Sequence, residues 1–320
     1  MTLNATVFHP QYIAQVSDRR LSDIRGVPTT DAANKLVVVV CQDATLLVTY
    51  TGVGAFPRSG SRSLQRVDSW IAERLQDRRA TDLAAEGVVA EVIECGNSLF
   101  ARSAARVVPH VFAIAGWVGE PGLASARFWR VDNISPDGTP RPNFSAVACR
   151  ASPGLVVATG AVAALERLIR RKLSGRLRAA KSSDDVARIL VETVREAAAS
   201  EKGRTIGPNC VVAMLSPSGQ AGIAGYGLAG RQEAISPTAL WAAGSNSFLV
   251  KDVQVSSAAY GLRLGEGPRR LELMSGRMAG KLVTTKLPAG SVSWQTRMGH
   301  IDRKSASESS IPVVGVFGLE

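Results

Sequence analysis

The segment TLNATVFHPQYIAQVSD, residues 2–18, predicts the start of a β-sheet and sets the type of fold. LNATVF and YIAQVSD contain the β-branched and aromatic residues that are typical of strands, and His9-Pro10-Gln11 separates them as a turn. Further along, KLVVVVC and ATLLVTY flank the short polar turn Gln42-Asp43. The first fifty residues therefore predict two β-hairpins.

The spacing of the apolar residues then changes from a strand pattern to a helical one. Apolar residues recur at three- and four-residue steps over residues 61–77, which predicts a helix, and residues 82–103 predict a second, Ala-rich helix. Four strands are predicted next, at residues 110–118, 126–134, 143–150 and 155–160.

Two more helices and a final hairpin follow. The first helix is predicted over residues 161–173 with its end near Gly175, and the second begins at Ser182, whose spacing to Asp185 matches a capping box. One face of the second helix is apolar, through Val186, Ile189, Leu190, Val194 and Ala197. The runs CVVAMLSP and AGIAGYG predict a hairpin that turns at Ser218-Gly219.

Strands in fours thus alternate with helices in pairs. This order predicts an α+β fold, a four-layer αββα sandwich in which each helix pair covers one sheet, because a doubly wound parallel fold would need single helices between single strands. We assign residues 1–228 to this domain. Residues 229–320 mix Gly, Ser and short apolar runs that look like strands (LWAAG, SFLVKDVQV, LVTTKL and PVVGVFGLE), and we expect them to form a β-rich C-terminal extension.

Composition narrows the class of protein. The 320 residues are 45% apolar and 20% charged, which excludes a disordered or low-complexity chain, and the net charge of +11 favours acidic partners without naming one. The four cysteines, Cys41, Cys95, Cys149 and Cys210, form no C-x-x-C pair, and no His lies at metal-ligand spacing from them. No stretch of about 18 apolar residues and no signal peptide is visible in the sequence. We therefore expect reduced thiols and a cytoplasmic location.

Three sequence features resemble the proteasome β-subunit family of N-terminal-nucleophile (Ntn) hydrolases, which includes the bacterial HslV peptidase and other bacterial proteasome-like proteins. They are VSDRRLSD at residues 16–23, Asn34-Lys35 before a strand, and VTYTGVG at residues 48–54. The order of helices and strands over residues 2–228 is also similar to the family's.

The resemblance implies a catalytic residue at the start of the chain. The family's nucleophile is an N-terminal Thr whose own α-amino group is the base, and the matching residue is Thr2, sixteen residues before Asp18. Thr is small enough for Met1 to be removed. A free α-amino group has a pKa of about 7.7–8.0 and is therefore able to act as a base near neutral pH.

The resemblance also assigns roles to three other residues. Lys35 matches the family's lysine, whose ammonium favours a neutral amine and a developing alkoxide, and Asp18 would orient Lys35. The backbone N–H near Gly52 or Gly54 matches the oxyanion donor, which is typically worth about 3 kcal/mol. No metal or organic cofactor is implied. The family further implies a peptide or amide substrate and a homo-oligomer, which could be a ring.

Two family motifs differ in this chain. The family's Gly-Ser-Gly corresponds to Thr159-Gly160-Ala161, and its Asp-x-x-Ser-Gly-Gly corresponds to residues 203–208, GRTIGP, which lack both the acid and the serine. Those groups normally hydrogen-bond around the Thr amine. The sequence therefore leaves two alternatives: a threonine peptidase or amidase, and a non-catalytic proteasome-like assembly or binding protein with Met1 retained.

The remaining signals favour structural roles. In the second alternative Asp18 and Lys35 are a structural ion pair, and Gly52 and Gly54 are turn glycines. Seven basic residues lie between Glu166 and Lys181: Arg167, Arg170, Arg171, Lys172, Arg176, Arg178 and Lys181. Nucleic acid could bind them, but stacking aromatics and a binding motif are absent, which favours a solvated helix face or a subunit contact.

The histidines and two of the cysteines also suit structural roles. No triad or metal spacing joins the histidines, His9, His110 and His300, so we expect each to be structural. Cys41 and Cys149 fall within strand runs, and we expect both to be inert core thiols.

Overall fold

A computed structural model of the chain has a mixed α/β fold in which all the strand pairs of the described residues are antiparallel. It describes residues 2–22, 26–31, 33, 35–57, 64–67, 83–100, 108–120, 123–162, 165, 167–200, 205–219, 221–226, 233–235, 249–250, 253–255, 259–264, 271–275, 278–279 and 282–283. Among these residues, no helix has both the length and the apolar character needed to cross a membrane.

The secondary structure elements are numbered in chain order. The strands are β1 (Leu3–His9), β2 (Tyr12–Asp18), β3 (Leu21–Ser22), β4 (Pro28–Thr30), β5 (Leu36–Val40), β6 (Ala44–Thr51), β7 (Ala55–Pro57), β8 (Leu64–Arg66), β9 (Val111–Val118), β10 (Ser125–Ile134), β11 (Pro140–Arg150), β12 (Val156–Gly160), β13 (Cys210–Leu215), β14 (Ala221–Tyr226), β15 (Glu233–Ile235), β16 (Leu249–Val250), β17 (Val253–Val255), β18 (Ala259–Leu264), β19 (Leu271–Ser275), β20 (Met278–Ala279) and β21 (Leu282–Val283). The helices are α1 (Ala85–Phe100), α2 (Arg167–Ala179) and α3 (Ser183–Ala199).

Two large sheets organise these elements. The first sheet has seven strands in the order β12-β1-β2-β13-β14-β18-β19, and the second sheet has five in the order β11-β10-β9-β6-β5. The sheets contact each other through β1, β2 and β13 on one side and β5 and β6 on the other. Helix α1 packs on β6, β10 and β11, whereas α3 packs on β2 and β13 and against α2.

The first hairpin shows why the sheets stack in this way. Side chains alternate between the two faces of a strand, so Leu3, Ala5 and Val7 of β1 share one face and pack into the apolar core with α2 and α3. The opposite face carries Asn4, Thr6 and Phe8 and meets the second sheet, where the Phe8 ring packs edge-on against Phe128. There Gln15 Nε2 donates to Thr6 Oγ1 at 3.0 Å and to the carbonyl of Ala113 at 3.2 Å. Hydrogen-bonded polar side chains thus lie beside apolar ones between the sheets.

Most of the predicted elements are confirmed. Both opening hairpins are present, the helix predicted over residues 82–103 is α1, and the four strands that follow it are β9 to β12. Ser182 caps α3 with Asp185 in a capping box, as its spacing predicts. The last hairpin is β13-β14, and Gly219 in its turn has φ +82°.

Two predicted helices need correction. Leu64–Arg66 is a strand paired with Ala55–Pro57, so the predicted helix does not include it, and most of residues 61–77 lie outside the described residues. Helix α2 begins at Arg167 and continues through Gly175 to Ala179. A glycine inside a helix is only about 1 kcal/mol less favourable than an alanine. The next helical turn can offset this loss because Leu177 packs against the core.

The prediction for Cys149 is wrong. It lies on β11, the outermost strand of the second sheet, and its thiol is exposed, whereas Cys41, Cys95 and Cys210 are buried. Burial raises the pKa of the Cys41 and Cys210 thiols to about 12. Only the exposed cysteine of this chain is therefore expected to react readily.

Residues after 228 contribute to the first sheet. β18 pairs with β14, and β19 pairs with β18, so the sheet continues across the predicted domain boundary. Parts of the predicted strand runs SFLVKDVQV and LVTTKL are β16, β17 and β21. The runs LWAAG and PVVGVFGLE lie outside the described residues.

Candidate active site

Thr2 and Asp18 are neighbours because of the register of the first hairpin. Asn4 pairs with Ser17, so the next residues outward along the two strands are Leu3 and Asp18. The backbone N–H of Leu3 donates to Asp18 Oδ1 at 2.9 Å. Thr2 directly precedes β1 and is only 3% exposed. The hairpin alone thus brings a hydroxyl and a carboxylate to the same end of the first sheet.

Lys35 comes from the second sheet, directly before β5. Its Nζ donates to Thr2 Oγ1 at 2.6 Å and to the carbonyl oxygen of Arg20 at 2.6 Å, and it lies 3.1 Å from Asp18 Oδ2. The side chains of Lys35 and Asp18 are 1% and 0% exposed. The structure therefore brings three of the predicted site residues, Thr2, Asp18 and Lys35, into one buried group.

The carboxylate of Asp18 is held by backbone donors as well as by Lys35. The N–H groups of Arg20 and Gly207 donate to Oδ2 at 3.0 and 3.1 Å, and that of Leu3 donates to Oδ1. A buried carboxylate needs such partners, because an unpaired charge in a protein interior is strongly unfavourable. This network fixes Asp18 and, through it, the position of the Lys35 ammonium.

The backbone of Thr2 is fixed from two other directions. Its carbonyl oxygen accepts from Ala161 N at 2.8 Å and from Thr51 Oγ1 at 3.2 Å. Gly160 has φ +88°, and a Cβ there would overlap the Thr2 carbonyl oxygen and lie 2.5 Å from Thr51 Oγ1. Glycine is therefore required at position 160 for the close approach of the two chains.

Gly52, the fourth predicted site residue, lies in the turn after β6. It has φ +146° and directly follows Thr51, whose hydroxyl contacts Thr2. The N–H of Gly54, the alternative oxyanion donor, donates to the carbonyl of Ser22 at 3.2 Å. Because that hydrogen bond occupies the N–H of Gly54, the geometry favours Gly52 of the two. Its role as a donor stays a prediction.

Several contributors to the site were missed in the sequence. The Arg20 carbonyl, the Ala161 N–H and the Gly207 N–H act through the backbone, which leaves no residue-type signature. Gly207 lies in the segment of residues 203–208 that was compared with a family motif, but the reason for a glycine there, a Cβ that would lie 2.8 Å from Arg20 Cβ, is visible only in the structure. The side chain of Thr51 was present in the quoted VTYTGVG segment but carried no signal of its own.

The two histidines that the structure describes make aromatic and hydrogen-bond contacts with their neighbours. The His9 ring stacks on Tyr12, with ring centroids 4.3 Å apart, and its Nδ1 accepts from Gln11 N at 3.2 Å. His110 is buried beneath the turn that contains Gly52, and Tyr50 OH lies 2.7 Å from its Nδ1. His300 lies outside the described residues.

The basic helix is partly neutralised by its neighbour. Arg176 of α2 forms ion pairs with Glu192 and Glu196 of α3, and Lys172 Nζ lies 3.9 Å from Glu196. These pairs dock α2 on α3 and are consistent with a solvated helix face. In the part of the chain that the structure describes, no three His, Cys, Asp or Glu side chains are grouped as metal ligands.

Comparisons with known proteins give matches among solved structures only. No protein-family model matches the chain, and no curated protein matches it. The chain is similar to Anbu (ancestral beta-subunit) from Yersinia bercovieri, with 15% sequence identity and a TM-score of 0.44 over 68% of this chain and 82% of that one. It is also similar to Anbu from Hyphomicrobium sp. strain MC1, with 14% identity and a TM-score of 0.42 over the same shares of the two chains. For the eukaryotic HslV from Trypanosoma brucei the values are 14% identity and a TM-score of 0.37, over 68% of this chain and 99% of that one.

Proposed function

We propose that the chain is an Ntn hydrolase with the family's αββα sandwich, a threonine peptidase or amidase whose nucleophile is Thr2 after removal of Met1. The observation that carries this proposal is the hydrogen bond of 2.6 Å from Lys35 Nζ to Thr2 Oγ1, inside a buried group that also contains Asp18. A cation that donates to a hydroxyl oxygen stabilises the alkoxide that forms as the hydroxyl loses its proton.

The geometry requires a base other than Lys35. An ammonium that donates to Thr2 Oγ1 has no lone pair with which to accept the hydroxyl proton. Asp18 is also occupied, because its oxygens accept from three backbone N–H groups and face the Lys35 ammonium. The α-amino group that removal of Met1 would create on Thr2 fits this role. Its ordinary pKa of about 7.7–8.0 leaves part of it neutral at pH 7 to 8.

The proposed reaction then has two stages. Thr2 Oγ attacks the carbonyl carbon of the amide while its proton passes to the α-amine, and that proton goes on to the leaving amine as the C–N bond breaks. Water then attacks the resulting ester and releases the carboxylic acid, which restores the Thr2 hydroxyl. The N–H of Gly52 would stabilise the oxyanion in both stages, an effect typically worth about 3 kcal/mol.

One feature of the chain favours a second candidate function. Residues 203–208 lack the acid and the serine that surround the amine in the family, and the N–H of Gly207 in that segment is directed to Asp18. In a non-catalytic assembly or binding protein, Asp18 and Lys35 would be a structural ion pair and Met1 would remain. Both candidates include the proposed homo-oligomer, which sedimentation of the purified protein tests.

Intact-mass spectrometry together with covalent labelling distinguishes the two candidates. A peptide β-lactone, whose ring is opened by an activated hydroxyl, should form one ester, and tandem mass spectrometry should locate it on Thr2 of a chain without Met1. Thr2→Ser should retain labelling, whereas Thr2→Ala and Lys35→Met should lose it. Lys181→Met, at an exposed lysine outside the site, is the matched control. Retained Met1, or an adduct that survives in Thr2→Ala, would refute the proposed function.

A further inference from the structure

Tyr50 and His110 form a buried pair directly beneath the turn of residues 51–54. Tyr50 is 2% exposed and His110 is 0% exposed. Tyr50 OH donates to the carbonyl oxygen of Val53 at 2.7 Å, so the pair is bonded to the backbone of the turn. The reaction proposed above uses neither side chain, yet both lie under the segment that contains the predicted oxyanion donor.

The hydrogen bonds of this pair run in one direction. The phenol of Tyr50 has a single hydrogen, and the carbonyl of Val53 takes it, because a carbonyl can only accept. The 2.7 Å contact between Tyr50 OH and His110 Nδ1 therefore requires that Nδ1 carries a hydrogen and donates it to the phenol oxygen. Burial raises the pKa of Tyr50 well above its ordinary value, so the phenol keeps its hydrogen.

The imidazole of His110 is fixed from its other sides. The Phe100 ring, at the end of α1, stacks on it with ring centroids 4.0 Å apart and an interplanar angle of 22°. The backbone N–H of His110 donates to Asn133 Oδ1 at 2.7 Å. Phe100 of α1 thus holds the imidazole of His110, and Asn133 of β10 holds its backbone.

The backbone of the turn rests on this pair. A Cβ at Gly52 would lie 2.6 Å from Tyr50 OH and would overlap His110 Nδ1, so the turn approaches the two side chains as closely as glycine permits. On its other side the turn touches the candidate nucleophile, since Thr51 Oγ1 donates to the carbonyl of Thr2. Tyr50 and His110 are therefore linked to Thr2 through the backbone of residues 51–53, by the hydrogen bonds at Val53 O and Thr51 Oγ1.

We propose that Tyr50 and His110 are positioning residues that hold the turn of residues 51–54 in the geometry that the reaction needs. They keep the Thr51 hydroxyl on the Thr2 carbonyl and keep the N–H of Gly52 at the place where the oxyanion forms. This inference rests on the proposed function for its catalytic consequence. The mechanical part, that the pair orders the turn, stands on the contacts alone.

Four single variants test the proposal. Tyr50→Phe removes the hydrogen bonds of the phenol to Val53 and to His110, and His110→Phe removes only the bond between the two side chains. Both variants keep an aromatic ring. His110→Asn retains an N–H donor close to the position of Nδ1, and Tyr12→Phe removes a hydroxyl on a strand end away from the turn as the matched control. Hydrogen exchange at the amides of residues 51–54 and the steady-state constants for a peptide amide are measured for each variant.

We expect Tyr50→Phe and His110→Phe each to speed exchange at the turn amides about tenfold and to lower kcat about tenfold, with KM changed less than twofold. His110→Asn should retain most of the protection of the turn amides and most of the wild-type kcat. Tyr12→Phe should match the wild type in both measurements. The double variant Tyr50→Phe/His110→Phe should be no worse than Tyr50→Phe alone, because Tyr50→Phe already removes the hydrogen bonds of the phenol to Val53 and to His110.

Unchanged exchange at the turn in Tyr50→Phe would overturn the proposal. So would a kcat loss in His110→Asn equal to that in His110→Phe, because the proposal assigns the effect to the hydrogen-bond donor that only His110→Asn keeps. If the wild-type protein neither turns over the peptide nor forms the β-lactone ester, the proposed function fails. The exchange rates then still decide whether the pair orders the turn.

Discussion

The buried ion pair of Asp18 and Lys35 allows a quantitative test of the site. Their side chains are 0% and 1% exposed, and Lys35 Nζ lies 3.1 Å from Asp18 Oδ2. Lys35→Met keeps most of the side-chain volume but leaves the Asp18 carboxylate without the positive charge that faces it. Asp18→Asn leaves the Lys35 ammonium without the negative charge that faces it. Breaking a buried pair in this way costs about 3–5 kcal/mol of the free energy of unfolding.

The double variant Asp18→Asn/Lys35→Met carries the decisive result. Independent effects would sum to about 6–10 kcal/mol, whereas removal of both charges together should cost little more than one single substitution, about 3–5 kcal/mol. Urea unfolding followed by tryptophan fluorescence measures the three values. If the double variant lost as much free energy of unfolding as the two single variants together, the reasoning would be refuted, because the two charges would then not be stabilising each other. All three variants should also lose β-lactone labelling at Thr2.

Three further predictions concern the helix cap, a glycine and a thiol. Ser182→Ala should lower the free energy of unfolding by about 1 kcal/mol through loss of the cap of α3, and an unchanged urea midpoint would contradict this. Gly160→Ala should lower the free energy of unfolding by about 2 kcal/mol or more and displace Thr2, which is measured as lost β-lactone labelling. Gly154→Ala is the control: Gly154 has φ +87° but open space around it, so the free energy of unfolding should fall by only about 1 kcal/mol. At pH 8 a thiol reagent should modify Cys149 quickly and the buried Cys41 and Cys210 slowly, since a thiol with a pKa of about 12 is ionised in only about one molecule in ten thousand. A Cys149→Ser protein that still shows a fast phase would contradict the assignment.

Local features of this fold could be predicted from the sequence. The turn at His9-Pro10-Gln11 sets the register of the first hairpin, and that register brings Leu3 N–H to Asp18. The Ser182 cap is likewise decided within four residues of the chain. In both cases the deciding contacts lie between residues that are close in sequence, so the pattern of residue types contains the necessary information.

Features that depend on distant packing could not be predicted. Leu64 fits a helical spacing, but Leu64–Arg66 pairs with another strand instead. The run that contains Cys149 has the composition of a core strand, yet its burial depends on its place at the edge of the second sheet. The contact of Lys35 with Thr2 was implied by family resemblance only, because it depends on how one sheet stacks on the other.

The origin of the site in two sheets has a mechanical consequence. Thr2 and Asp18 move with the first sheet, and Lys35 moves with the second. A slide of one sheet over the other by about 1 Å would stretch the Lys35–Thr2 hydrogen bond beyond its effective range without unfolding any strand. The proposed reactivity of the Thr2 hydroxyl would therefore depend on how the sheets are aligned. A binding event that shears them, even far from Thr2, would switch it off.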